Sequence, residues 1–110
     1  MTGYDIYKKA LALMGVNTDA GGDKTVPVSA LAALNTIGTD LFEGFYISDV
    51  FEEIKIPDNA VNAFCCGVAF FTAENGGDTA AAEFFCDLYN SYRAAFKSSA
   101  EKIKNVMPTA

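Results

Sequence analysis

The chain has 110 residues, about half of them apolar, with nine Phe and a formal charge of −6. That length and apolar content fit one globular domain with its own core and exclude a disordered chain. The acidic balance, with a pI near 4.4, excludes a nucleic-acid binder of the usual kind, which needs clustered Lys and Arg to displace counterions.

The chain opens with a helix expected from about Thr2 to Met14. Ile6, Ala10, Leu13 and Met14 recur at helical spacing, Thr2 suits the cap and Gly15 the stop. Asp5, Lys8 and Lys9 interrupt its apolar positions, so it is not a secretory leader and the protein is expected in the cell interior. The following VNTDAGGDKTV is rich in Asn, Asp and Gly. Counted as a calcium loop from Asn17, its fifth position is Gly21 and its twelfth Val28, which supply no side-chain oxygen. As a phosphate loop its glycines are wrongly spaced, and Asp23 precedes Lys24. It reads as a surface loop.

Pro27 begins a second helix, expected to reach about Gly44. Leu31, Leu34, Ile37 or Gly38, Leu41, Phe42 and Phe45 form its apolar stripe; Asn35, Thr39, Asp40 and Glu43 lie off it. The segment EGFYISDVFEEIKIP then reads as an irregular connection with a helical turn at 49–53 and an extended Ile54-Lys55-Ile56. Its large groups Tyr46, Ile47, Val50 and Phe51 have two readings: cover for the core, or an apolar patch for a partner.

The third helix is expected from Pro57 to the Gly76-Gly77 stop, with apolar residues nearly all round it, which assigns it to the centre of a bundle. Asp78 or Thr79 caps a long last helix to about Lys104, with Phe85, Leu88, Tyr89, Tyr92, Phe96 and Ile103 along one face. Arg93, Lys97, Lys102 and Lys104 make its end basic. That end is either a solvated helix terminus that opposes the dipole or a docking segment for an acidic partner. The expectation is thus one all-α domain of about four helices over residues 1–104, with a buried central helix, a long C-terminal helix and a flexible tail at 105–110.

Little in the chain points to chemistry. It has no His, and its three Cys (Cys65, Cys66, Cys86) lack the spacing of a zinc site. Buried reduced thiols are expected. Asp49, Glu52, Glu53 and Asp58 are the candidates for acid-base work, but clustered acids beside a helix start more often serve the helix dipole. Ser48-Asp49-Val50 reverses the Asp-Ser-Leu order of acyl carriers. No apolar run approaches the 20 or so residues of a membrane span. No catalytic role, cofactor or metal is expected.

The order of segments resembles the small head-tail connector, or adaptor, proteins of long-tailed bacteriophages and prophages. The resemblance rests on Leu34-Asn35-Thr36-Ile37, Ile56-Pro57-Asp58, Gly67-Val68-Ala69, Gly77-Asp78 and Tyr89-Asn90-Ser91-Tyr92-Arg93, and covers roughly residues 28–96. Cys66 stands where the family commonly has an aromatic residue, and the loop at 15–25 is long for it. The resemblance implies a structural protein of the virion neck, assembled in the bacterial cytoplasm as a ring on the portal protein. It would hand on to a neck or tail-completion protein, with DNA passing the channel without specific binding; an acidic wall suits such passage, since repelled DNA slides. The partner-facing residues would be Tyr46, Ile47, Val50 and Phe51 in the connection and Arg93, Lys97, Lys102 and Lys104 at the basic end. A helical module that binds a host protein through the Tyr46–Phe51 patch is the alternative.

Overall fold

The computed structural model describes residues 1–16 and 26–106, with side chains to residue 99. Four helices follow in order: α1 (Gly3–Leu13), α2 (Val28–Leu41), α3 (Asp58–Asn75) and α4 (Thr79–Val106). The all-α expectation holds. Among the described residues the one extended pairing is an isolated antiparallel bridge between Thr2 and Glu53. The loop at 17–25, with both of its motif tests, and residues 107–110 of the expected tail lie outside the described residues.

Each helix boundary has a local cause. The Thr2 hydroxyl accepts from the Asp5 amide while the Asp5 carboxylate accepts from the Thr2 amide, a reciprocal box that sequence reading saw only by half. That backbone hydrogen bond from Thr2 lowers the Asp5 pKa against the opposing effect of burial. Pro27 and Pro57 each sit in extended backbone just before the first helical residue, where a missing N–H is harmless. Asp78 caps α4, its Oδ1 accepting from the Ala81 amide at 3.1 Å.

Three expected ends move. The second helix stops at Leu41 rather than Gly44, because Phe42 is already extended (φ −133°, ψ 128°) and Gly44 turns the chain at φ 76°. Gly76 keeps right-handed backbone at φ −83°, so the left-handed stop of α3 is Gly77 alone, at φ 77°. Asn105 and Val106, assigned to the tail, belong to α4.

α3 is the axis. Ala60, Ala63, Phe64, Cys65, Cys66, Gly67, Val68, Ala69 and Ala73 are buried along it, and it packs on α1, α2 and most extensively α4. It is not buried all round: Asn62 and Glu74 are exposed, and Phe70 and Phe71 are half-buried. Small residues let its neighbours close in. A Cβ on Gly67 would stand 2.7–2.9 Å from the Ile37 side chain, so α2 approaches α3 at a distance only Gly permits. Phe64 lies at the centre of an aromatic set, its ring centroid 5.5 Å from Phe45 and 6.3 Å from Phe42. Phe42 in turn meets Phe96 of α4 edge-on at 5.6 Å.

The three-residue turn after α3 makes α3 and α4 an antiparallel hairpin. Because α4 has 28 residues and α3 only 18, α4 runs about ten residues past the start of α3, roughly 15 Å at helical rise. Phe96 is near the level at which the body ends. On the expected core face Phe85 and Tyr89 are buried and Phe96 is half-buried, but Tyr92 is exposed at its edge.

Candidate functional site

Two regions carry the residues singled out from sequence: the connection between α2 and α3, and the last third of α4. They need separate accounts, because the fold uses them differently.

In the connection, the expected turn is present. The Glu52 amide donates to the Asp49 carbonyl at 3.1 Å, and Asp49 Oδ1 accepts from the Phe51 amide at 2.8 Å. Glu52 Oε2 accepts from the Ser48 amide at 2.8 Å. Glu53 pairs with the N-terminal ammonium. Asp58 lies in the first turn of α3, where its charge suits the dipole. The four acids considered for catalysis thus serve a turn, a loop, an ion pair and a helix end. Among the described residues, no group of three or more His, Cys, Asp or Glu is placed to hold a metal ion.

The aromatic and aliphatic residues of the connection divide. Tyr46 is 73% exposed and Phe51 51%, whereas Ile47 is 2% exposed. Ile47 is therefore removed from the candidate partner surface. Its side chain enters the core between α1 and α2, and its backbone is held on both sides by Asn35: Nδ2 donates to the Ile47 carbonyl at 2.9 Å, and the Ile47 amide donates to Oδ1 at 2.8 Å. Val50 is half-buried and uses its carbonyl to accept from the Tyr4 amide at 2.7 Å. Phe51 packs against Tyr4, centroids 5.2 Å apart, and Lys8 Nζ lies over the Tyr4 ring, 5.7 Å from its centroid. What remains free for a partner is Tyr46, Phe51 and the edge of Tyr4, set in a segment that also carries Glu43, Asp49, Glu52 and Glu53.

On α4, Arg93 and Lys97 are not free cations. Arg93 Nε donates to Asp40 Oδ2 at 2.6 Å and its terminal nitrogen to Oδ1 at 3.2 Å, a two-pronged grip. Lys97 Nζ donates to the Asp40 carbonyl at 2.8 Å, and the Tyr89 hydroxyl donates to the Asp40 carboxylate. The Arg93 hydrogen bond holds the Asp40 carboxyl below the usual carboxylate range, against the opposing effect of burial. Burial, reinforced by the Asp40 carboxylate, pushes the Tyr89 phenol up. Asp40, assigned from sequence to a solvated face, is the hub that ties α2 to α4. Nothing in its position within the stripe pattern signals this, since its partners lie some 50 residues on. The Lys102 and Lys104 positions fall on the overhanging part of α4.

Beside the hub is a shallow cavity of about 350 Å³ lined by Ile37, Phe70, Phe71, Tyr89, Cys86 and Asn90 among others. Cys86 is only half-buried there, unlike the buried thiol expected, and accepts a weak contact from Asn90 Nδ2 at 3.7 Å. Cys65 and Cys66 are buried as expected, and burial pushes the Cys65 thiol up to about 11. Such a thiol stays protonated and unreactive near neutrality.

No family model, curated protein or solved structure matches this chain in comparisons of its sequence and fold with known proteins.

Proposed function

We propose that the chain is a structural head-tail connector of a bacteriophage or prophage, binding a portal protein on one side and a neck or tail-completion protein on the other. The observation that carries this reading is the ordered set of short motifs from Leu34 to Arg93, now placed on a fold with an overhanging last helix. Three of those motifs have structural work in this chain. Asn35 of the first fixes the connection, Gly67 of the third lets α2 approach α3, and Tyr89 and Arg93 of the last converge on Asp40. Motifs so used are the kind that persist in a family with a shared framework, whatever surface each member presents.

The overhang and the acidic body fit the role. A helix that projects past its own bundle offers surface to another protein without disturbing the core. A body of net negative charge adds no counterion-releasing attraction for DNA. The test is copurification of the tagged full chain with the purified portal protein encoded in the same genome. Retention of portal at physiological salt is expected. A folded chain that leaves portal in the flow-through at micromolar concentrations of both overturns the proposal.

A second reading has its own observation, the exposure of Tyr46 and Phe51. It makes the chain a helical module that grips one host protein through that patch. Pull-downs from uninfected and phage-infected lysates separate the two: the module captures the same host protein from both, and the connector captures virion proteins from the infected lysate alone.

A further inference from the structure

A second cavity, of about 240 Å³, opens between α1 and α3 and shares no residue with the connection or the Asp40 hub. Lys9, Ala12 and Leu13 line it from α1, and Val61, Asn62 and Cys65 line it from α3. Each trio falls within about one turn on one face of its helix. Cys65 is buried and Val61 half-buried, while Lys9 and Asn62 are exposed. The cleft therefore has an apolar floor and wall, with two polar side chains at its rim.

Leu13 shows that the wall is uncovered. It follows Ile6 and Ala10 at core spacing, and both of those are fully buried, yet Leu13 is 54% exposed. Lys9 sets the sign of what could cover it. Arg93 and Lys97 are held by Asp40, and Lys8 lies over Tyr4. Asp5, one turn before Lys9, is taken up by its box with Thr2. Lys9 has no hydrogen-bond or ion-pair partner among the described residues, and neither does the Asn62 amide. Both side chains carry donors suited to a carboxylate. The Cys65 thiol adds no competing charge, since burial keeps it protonated against the opposing effect of the Lys9 ammonium.

We infer that this cavity binds a small monocarboxylate with an aliphatic tail, a fatty acid of short to medium chain. The carboxylate accepts from Lys9 Nζ and Asn62 Nδ2, and the tail covers Leu13, Ala12, Val61 and Cys65. The volume holds about eight groups of the size of a water molecule, which matches the heavy atoms of hexanoate. A longer chain leaves its end in solvent. An amine of the same length is repelled by Lys9, and an alcohol gains the tail contacts without the charge-assisted hydrogen bonds. A ligand seated here touches both helices and fastens α1 to α3. The site stands independently of the connector reading.

The experiment is a titration of the full nitrogen-15-labelled chain, followed by its amide proton–nitrogen correlation spectrum at pH 7 and constant ionic strength. The probes are butanoate, hexanoate, octanoate, hexan-1-ol and hexylamine. Hexanoate should give saturable shifts centred on residues 9–13 and 61–65. Affinity should rise about fourfold per methylene from butanoate to hexanoate and level off at octanoate. Hexanoate should bind about tenfold more tightly than hexan-1-ol, and hexylamine more weakly than either.

Two variants locate the site. Lys9→Met keeps the length of the side chain and should bring hexanoate down to the affinity of hexan-1-ol, which itself stays unchanged. Ala12→Phe, at an exposed position, fills the cleft and should abolish binding of both with helical content unchanged by circular dichroism. The inference is overturned if millimolar hexanoate shifts no amide in these two segments, or if hexan-1-ol matches hexanoate on the native chain. It is equally overturned if Lys9→Met leaves hexanoate binding as it was.

Discussion

Asn35 is the residue with the most leverage for its size. Its amide satisfies both the N–H and the C=O of buried Ile47, and a buried backbone group left unpaired costs about 1–3 kcal/mol. Asn35→Ala should therefore destabilise the protein by about 2 kcal/mol, read as a lower urea midpoint with an unchanged slope. Tyr46→Ala, at a side chain mostly in solvent, should stay within about 0.5 kcal/mol of the native protein. Asp40 adds a pH dependence. Its carboxyl is held below its unfolded value of about 3.9, so its charge stabilises the fold fully above that value and loses this effect as pH falls through the lower folded pKa. The hub is partly exposed, and its ion pairs are screened, so Asp40→Asn should cost about 0.5–1 kcal/mol at pH 7. The gap between the urea midpoints of Asp40→Asn and the native chain should be widest at pH 7 and narrow progressively as pH falls below about 4.

At the scale of elements, α2 and α3 meet at Gly67. A methyl there would improve helix propensity by about 1 kcal/mol but would stand 2.7–2.9 Å from three atoms of Ile37. Overpacking of that kind costs about 1–3 kcal/mol and wins because Cγ1, Cγ2 and Cδ1 of Ile37 all stand too close, so moving the end of the chain alone does not clear the clash. Gly67→Ala should lower the thermal midpoint, and Ile37→Val in the same chain should recover part of the loss, a non-additivity measurable as a double-mutant cycle. Helix number, order and most caps were legible in the sequence, because proline, glycine and capping residues act within one turn of where they stand. What was not legible is what depends on distant partners. The pattern placed Asn35 and Asp40 on the solvated side of α2, correctly by periodicity, yet the connection folds back over one and α4 lies beside the other. Whether Ile47 covers the core or faces a partner stayed open for the same reason: an irregular segment has no period from which to tell its inward residues from its outward ones.

For the whole molecule, the candidate partner surface is narrower than the sequence suggested. Ile47 supports the core, and Arg93 and Lys97 grip Asp40, which leaves Tyr46 and Phe51 as the exposed members of the candidate set among the described side chains. In the proposed connector they are the surface through which the subunit meets a partner. The most direct measurement is negative-stain imaging of the full chain after coexpression with the portal protein of the same genome. Portal rings with an added layer of density on one axial face are predicted; bare portal rings, with the folded chain recovered separately as a monomer, would contradict the account.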